Sequence, residues 1–226
     1  MNWWSELVCE TYPPVEIFES KRNITISELR RFVRIVLTEG IPCAFAQFPL
    51  AYEFARQRAA ERIGVDPKQI SITGSARLGY SLSPHKFGKA YDPSASDVDL
   101  FLIDETRFAA LAQEFADFVA LFESAKIHPR NERERANWEE NKRIVPSAIR
   151  RGFIDQKYVP AWNQFPMAQR LGDAKFKFQD NLNSAIKNDT VKKVSLRVYR
   201  DWDAAVAQIS YTLMTTLEKR AAAVGS

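Results

Sequence analysis

Two aspartates separated by a single residue, Asp97 and Asp99, are the strongest candidates for chemistry in this sequence. They stand at the start of an apolar run that ends at Ile103, a pattern typical of a strand inside a sheet. Residues two apart on a strand project from the same face, roughly 7 Å apart along the backbone. Carboxylates this close repel each other, and a divalent cation neutralises both. The pair therefore predicts a Mg²⁺ or Mn²⁺ site.

The second candidate element is the dipeptide Gly74-Ser75, which directly follows a strand-like segment at residues 69–73. Glycine permits a tight turn and a close approach, while the serine hydroxyl and N–H can both face a phosphate. Arg77 is a candidate to neutralise the same phosphate. If these residues meet the two aspartates, the expected chemistry is in-line attack on the α-phosphorus of a nucleoside triphosphate.

Each of these features has a plainer explanation when it is taken alone. An Asp-x-Asp sequence is usually a solvated strand end, and a loop arginine such as Arg77 often only pairs with a nearby acid. His85, Lys86 and Lys89 fit an exposed polar loop as well as they fit the entrance to a site. The order of strand, Gly-Ser, loop and Asp-x-Asp favours a site that binds a metal and a triphosphate.

The hydropathy pattern predicts an α+β fold, with a small mixed sheet flanked by helices and helical additions at both ends. A capping box at Thr25 to Glu28 predicts a helix that stops at Gly40. Predicted strands lie at residues 69–73, 96–103 and 193–200, and further predicted helices at 49–63, 108–122, 129–151, 166–187 and 202–217. The predicted helix at 129–151 is heavily charged and is expected to be solvated.

This pattern suggests an N-terminal arm at residues 1–24 and one domain at 25–226. Within the domain we distinguish N-terminal helices at 25–66, a catalytic core at 67–126, and a helical lobe at 127–226 with a late strand and a closing helix. Residues 82–95 separate the two candidate motifs. We expect them to form a loop over the mouth of the site.

Composition excludes several classes of protein. The chain has 226 residues, 46% of them hydrophobic, and no apolar run approaches the roughly twenty residues of a membrane span. The first residues lack the features of a secretory signal, so we expect a cytoplasmic protein. The only cysteines and histidines are Cys9, Cys43, His85 and His128, which do not form a zinc-binding pattern. Neither a P-loop nor a dinucleotide-binding glycine motif is present.

The formal net charge is +4, and positive charge concentrates between residues 174 and 200, a segment that contains seven lysines and arginines but only two acids. One explanation is the solvated side of a helix and an edge strand. The other is an electrostatic track for RNA or for the polyphosphate of a substrate. Spacing along the chain does not decide between them.

The sequence Ile72-Thr73-Gly74-Ser75, a spacer, and then Asp97-Val98-Asp99 resembles the signature of the DNA polymerase β-type nucleotidyltransferase superfamily. The run from Gly74 to Gly88 is similar to small bacterial members of that group. The resemblance covers residues 69–104 and implies a nucleotidyltransferase core. It also implies that Gly74 and Ser75 hold a nucleoside triphosphate and that Asp97 and Asp99 ligate Mg²⁺. The implied reaction transfers a nucleotide monophosphate to a hydroxyl acceptor and releases pyrophosphate.

Two departures from this family pattern bear on activity. The spacer between Ser75 and Asp97 has 21 residues, which is longer than usual. A third carboxylate is expected on a later strand, and Asp155 is one candidate for it. The late strand itself offers only Ser195, Arg197 and Tyr199, so a missing third acid is the other alternative.

The acceptor stays open: a protein side chain, an RNA end, or a second nucleotide, as in the cyclic-oligonucleotide synthases of bacterial defence. The uncertain third acid supports an alternative of another class, a nucleotide-binding regulator or antitoxin-like module that binds a partner without turnover. An RNA-binding protein that uses the basic segment is a third hypothesis. Base preference and oligomeric state have no signal in the sequence.

Overall fold

The computed structural model describes residues 12–19, 24–186 and 191–224. Within these ranges the chain is mixed α+β, with eight α-helices and one four-stranded mixed sheet, which confirms the predicted class. Residues 1–11 and 20–23 of the predicted arm, and Lys187 at the end of a predicted helix, lie outside the described residues.

Three α-helices precede the first strand in the described part of the chain. Helix α1 is short (Glu16–Glu19), and α2 (Ile26–Phe32) continues as a π-helical turn over Val33–Leu37. The predicted capping box of α2 is confirmed: the Thr25 hydroxyl accepts from the Glu28 N–H at 3.3 Å, and the Glu28 carboxylate accepts from the Thr25 N–H at 2.9 Å. The predicted second helix is also confirmed as α3 (Pro49–Ile63), which ends where Gly64 adopts a φ of 79°.

The sheet contains β1 (Ile70–Thr73), β2 (Val98–Ile103), β3 (Phe153–Asp155) and β4 (Val194–Tyr199) in the order β1-β2-β4-β3. Strand β2 pairs antiparallel with β1 and parallel with β4, and β3 pairs antiparallel with β4. The predicted strands at 69–73, 96–103 and 193–200 therefore form, and β3 adds a fourth. Residues 67–126 and 127–226 each supply two strands to the same sheet.

Five more helices complete the described fold. They are α4 (Ser75–Leu78), α5 (Glu105–Glu123), α6 (Glu132–Arg150), α7 (Pro166–Ala185) and α8 (Trp202–Val224). The prediction of a solvated helix at 129–151 is incomplete, because α6 buries Trp138, Val145 and Ala148 against the rest of the protein. The many charged residues on the other face of α6 make this short apolar stripe difficult to recognise in the sequence.

The two faces of the sheet have different roles. One face is wholly apolar and packs against α3, α5 and α7 in the main core, through Ile70, Ile72, Leu100, Leu102, Leu196 and Val198. Burying each such side chain contributes roughly 1.5–3 kcal/mol. The other face contacts the first turn of α8 through Phe101 and Tyr199, and further along it carries polar residues. The apolar face therefore fixes the sheet, which leaves the polar face for function.

Helix α8 also packs against α2, so that α8 is held over the polar face of the sheet. The residues buried in this second cluster include Phe32 of α2, Val33 of the π-helical turn, and Val206 and Leu213 of α8. The sequence predicts an apolar stripe along the closing helix at Trp202, Val206, Ile209, Leu213 and Leu217. Trp202 is nevertheless 43% exposed and makes an edge contact with Phe101.

Helices long and apolar enough to cross a bilayer do not occur in the described parts of the chain.

Candidate functional site

A cavity of about 570 Å³ opens on the polar face of the sheet. It lies where β1 ends and where β2 and β4 begin, and α8 and the segment that joins α4 to β2 form its walls. Four of the five predicted ligand-binding or catalytic residues line it: Gly74, Ser75, Asp97 and Asp99. Sequence positions more than twenty apart are therefore brought to one place by the pairing of β1 with β2.

Gly74 occupies a position that a side chain would block. Its φ is 74° and its ψ is −151°, a combination adopted almost only by glycine. The β1–β2 register places Thr73 opposite Asp99, so the turn at residue 74 passes directly over the carboxylate. A Cβ atom at residue 74 would lie 2.8 Å from Asp99 Oδ2. The glycine thus allows the turn and the carboxylate to meet.

Asp99 is the more enclosed of the two aspartates. Its Oδ1 accepts a hydrogen bond of 2.7 Å from the Ser195 hydroxyl, which the parallel β2–β4 register places opposite it. Burial raises the pKa of Asp99; the Ser195 hydrogen bond acts in the opposite direction, and the charge of Asp97 adds to the rise. The site holds a carboxylate whose negative charge has lost part of its hydration.

Asp97 lies nearer the solvent and is paired with a lysine. Lys193 Nζ donates to Asp97 Oδ2 at 2.5 Å, and the two side chains are 69% and 39% exposed. An ion pair this exposed is worth only about 0–1 kcal/mol. A divalent cation or a phosphate can therefore separate Lys193 from Asp97 at little cost.

Strand β4, the late strand on which a third acid was expected, contains no carboxylate. Ser195 stands opposite Asp99, and Arg197 stands opposite Phe101 two residues further along β4. Among the residues that the structure describes, no group of three or more acids, histidines and cysteines is arranged to hold a metal ion. Any cation held by Asp97 and Asp99 takes its remaining ligands from elsewhere.

Asp155, the candidate third acid, faces Arg197 and not the cavity. Its two carboxylate oxygens accept from Arg197 Nε at 2.5 Å and from the terminal guanidinium nitrogen at 3.1 Å. The β3–β4 register pairs the two residues directly. Burial acts to lower the pKa of Arg197, but its bonds to Asp155 leave that pKa raised. The structure thus makes Asp155 the partner of a cavity-lining arginine.

Arg77, predicted to bind phosphate, is not brought into the cavity. Its guanidinium donates to the carbonyl oxygens of Val36 at 2.7 Å and Ile41 at 2.5 Å, and the residue is only 4% exposed. Burial lowers its pKa. On the four-residue helix α4 the side chain of Arg77 points toward the π-helical turn Val33–Leu37 and the residues after it, a direction that sequence spacing does not determine. Arg77 is a structural residue that satisfies one carbonyl within that turn and one just after it.

Residues of the long spacer line one wall of the cavity. Lys86 and Lys89 line it, whereas His85 does not. An isolated bridge between Tyr80 and Ala90 closes the base of this loop. The guanidinium of Arg220, on α8, lies 3.9 Å from the centre of the Phe87 ring and holds the loop against that helix.

The contribution of α8 to the cavity is not predictable from the sequence alone. Gln208 and Thr212, one helical turn apart, line the cavity beside Ile209 and Leu213 of the buried stripe. A polar pair flanking an apolar stripe is a weak signal by itself, because most helices have one. Only the packing of α8 over the polar face of the sheet gives these two residues access to the cavity.

No family model, curated protein or solved structure shows significant similarity to this chain.

Proposed function

We propose that this protein is a metal-dependent nucleotidyltransferase, and that the cavity on the polar face of the sheet is its active site. The observation that carries the proposal is the contact between two predicted motifs: Asp99 lies against the Gly74 turn, and Asp97 and Ser75 line the same cavity. Two carboxylates beside a turn whose serine hydroxyl and N–H can bind phosphate form a combination that suits a metal-bound triphosphate. The nucleotidyltransferase core and a cytoplasmic location belong to this proposal.

The donor set suits Mg²⁺ or Mn²⁺. Magnesium is commonly held by one or two carboxylates, with waters and substrate phosphates completing its octahedron. Asp97 and Asp99 supply those carboxylates, and a third acid is therefore helpful but not required. When bound, the cation would neutralise the charge that develops on the phosphate oxygens during transfer.

The protein's own residues then bind and orient the triphosphate. Ser75 lines the cavity, where its hydroxyl can donate to a phosphate oxygen. Lys86, Lys89 and Lys193 line the cavity and offset the negative charge of the triphosphate. Displacement of Lys193 from Asp97 frees both groups at once, the carboxylate for the cation and the ammonium for phosphate.

The proposed reaction requires only the nucleoside triphosphate and an acceptor hydroxyl as reactants. An acceptor hydroxyl oxygen forms a bond to the α-phosphorus as the bond from that phosphorus to the β-phosphate oxygen breaks. Pyrophosphate leaves, and the hydroxyl proton passes to water. The acceptor is a protein side chain, an RNA end or a second nucleotide.

One observation favours a second candidate, a nucleotide-binding regulator or antitoxin-like module without turnover. Ser195 occupies the place of a third acid, and Asp155 is engaged by Arg197. Such a site keeps its affinity for a metal-bound triphosphate while transfer is slow or absent.

Pyrophosphate release separates these candidates. The intact protein is incubated with each nucleoside triphosphate and Mg²⁺, alone and with cell extract, beside Asp97→Asn and Asp99→Asn. Asp117, an exposed aspartate on α5 that accepts a hydrogen bond from Gln113, supplies the matched control Asp117→Asn. We expect release that the control retains and the two site variants lose. Tight Mg²⁺-dependent triphosphate binding without release under any acceptor would favour the regulator.

A further inference from the structure

Three lysines lie near one another beside the candidate active site. Lys193, paired with Asp97, is the first. Lys175 on α7 is the second, and its Nζ donates to the side-chain oxygen of Gln156 at 3.0 Å. Gln156 directly precedes Lys157, the third lysine, in a short 3₁₀ helix after β3. We refer to Lys193, Lys175 and Lys157 as the lysine track.

The topology of the sheet explains this arrangement. Strand β3 runs antiparallel to β4, so the chain leaves β3 at Asp155 toward the end of the sheet where β4 begins. That end also carries Asp97 and Asp99, because β2 is parallel to β4. The turn with Lys157 therefore follows the same edge as the candidate site.

The lysine track brings three like charges together, and in the described segments only Lys193 among them is paired with an acid. Neither Lys157 nor Lys175 forms a salt bridge with a carboxylate in the described segments. Burial lowers the pKa of Lys175, and the positive charges of Lys193 and Lys157 lower it further. Mutual repulsion of this kind is relieved when an anion with several charges binds along the track.

A second cavity, of about 720 Å³, lies at the far end of the track, between α6 and residues 157–162. Lys157 lines it beside Tyr158 and Trp162, and its Nζ lies 5.4 Å from the centre of the Tyr158 ring. Asn137 and Asn141, one turn apart on α6, also line it and make no side-chain hydrogen bonds within the described residues. We refer to this space as the aromatic cavity.

We propose that the lysine track and the aromatic cavity bind a single-stranded polynucleotide, which is the acceptor substrate of the candidate active site. Phosphates follow the lysines, while unstacked bases lie against the aromatic rings and meet the asparagine amides. Duplexes keep their bases stacked and cannot enter the aromatic cavity. The combination of rings, amides and three neighbouring lysines, two of them without a carboxylate partner in the described segments, favours a nucleic-acid strand over a protein acceptor.

The acceptor role rests on the proposed nucleotidyltransferase function. A terminal hydroxyl oxygen of the strand forms the bond to the α-phosphorus as the bond to pyrophosphate breaks, and the hydroxyl proton passes to water. The strand is thereby extended by one nucleotide. Binding of the strand requires no turnover and can be measured separately.

The test uses fluorescence anisotropy of the full chain with labelled twelve-nucleotide RNA and DNA, each as single strand and duplex, in EDTA. Lys157→Ala combined with Lys175→Ala is compared with Lys68→Ala, an exposed lysine before the opposite end of β1. We expect the double variant to weaken single-strand binding about tenfold at near-physiological salt and to lower the slope of log K against log salt by about 1.4. The Lys68→Ala variant should bind as the parent does.

Binding at the aromatic cavity is tested with separate variants. Trp162→Ala should weaken binding by roughly five- to a hundredfold, the range for loss of one stacked base. If circular dichroism shows that this variant is unfolded, Asn137→Ala with Asn141→Ala takes its place, since both amides lie on the cavity wall. Comparison of the RNA and DNA arms shows which polynucleotide is preferred, and preference for either single strand supports the proposal.

Absence of single-strand binding, equal binding of duplex and single strand, or equal affinity of the double variant and Lys68→Ala would overturn it. Pyrophosphate release that depends on a protein acceptor, with no strand binding, overturns the polynucleotide acceptor and leaves the proposed function standing. Strand binding without pyrophosphate release on any strand refutes the acceptor role. Absence of release with protein and nucleotide acceptors as well refutes the proposed function.

Discussion

Asp99 Oδ2 lies 2.8 Å from the place where a Cβ atom of residue 74 would be. This contact joins the strand that carries the carboxylates to the turn that carries Ser75. Because β1 and β2 are paired in register at Thr73 and Asp99, the carboxylate and the turn are held against each other by the backbone itself. The site is therefore positioned before any ligand binds.

Substitution of Gly74 by alanine should destabilise the protein by about 2 kcal/mol or more, because φ of 74° with ψ of −151° strains any side chain and the new methyl group meets Asp99. Urea denaturation measures the change. Gly172→Ala in α7, where the backbone is helical, is the control and should change stability by less than about 1 kcal/mol. Equal stability of Gly74→Ala and the parent protein would show that the turn has another conformation.

Asp99→Asn should make the ligand-free protein more stable and raise its Tm by roughly a few degrees. The folded state raises the pKa of Asp99 by burial, so the protonated carboxyl favours folding and this contribution is lost as pH rises through the folded-state pKa. The stability gain of Asp99→Asn should accordingly shrink as pH falls. Thermal melts between about pH 5 and pH 8 in EDTA check this, and a gain that grows toward low pH would contradict it.

Arg77→Met should cost about 2–3 kcal/mol of stability, because the carbonyl groups of Val36 and Ile41 lose their buried donor. Triphosphate affinity, measured by calorimetry on the folded fraction, should stay unchanged, since Arg77 faces away from the cavity. Arg133→Met on the solvent side of α6 provides the control, with an effect within about 0.5 kcal/mol. A selective loss of triphosphate affinity would restore the phosphate-binding role predicted from sequence.

Asp155→Asn should destabilise the protein by about 2 kcal/mol, less than a fully buried pair, because Arg197 is 33% exposed at its side chain. The Mg²⁺ dependence of triphosphate binding should not change, as Asp155 is bonded to Arg197 through both oxygens. Calorimetric titrations with and without Mg²⁺ measure this. Loss of the Mg²⁺ dependence in a folded Asp155→Asn protein would identify Asp155 as a ligand.

Local patterns made much of this fold predictable. The capping box at Thr25, the stop at Gly64 and the apolar run before Asp104 each depend on near neighbours in the chain, and each matches an observed element. The predicted meeting of Gly74 with Asp99 also follows from neighbours, because it needs only the pairing of two consecutive strands.

Long-range packing made the rest unpredictable. Arg77 lies on a short helix whose buried side faces the π-helical turn Val33–Leu37, and no spacing along the chain indicates that this turn is there. Strand β3 has three residues, too few for a periodic pattern. It nevertheless determines the partner of Asp155, because it places that residue opposite Arg197. Lys193 and Asp97 are 96 residues apart in the sequence and meet only through β2–β4 pairing.

The position of a transferred label tests the central claim most directly. The protein is incubated with Mg²⁺ and a cell extract, and with nucleoside triphosphate labelled at either the α- or the γ-phosphate. Nucleotidyl transfer predicts that the α-label becomes attached to an acceptor while the γ-label leaves in pyrophosphate, and that Asp97→Asn with Asp99→Asn abolishes the attachment. Attachment of the γ-label, or α-label attachment unchanged in the double variant, would contradict the assignment of this site.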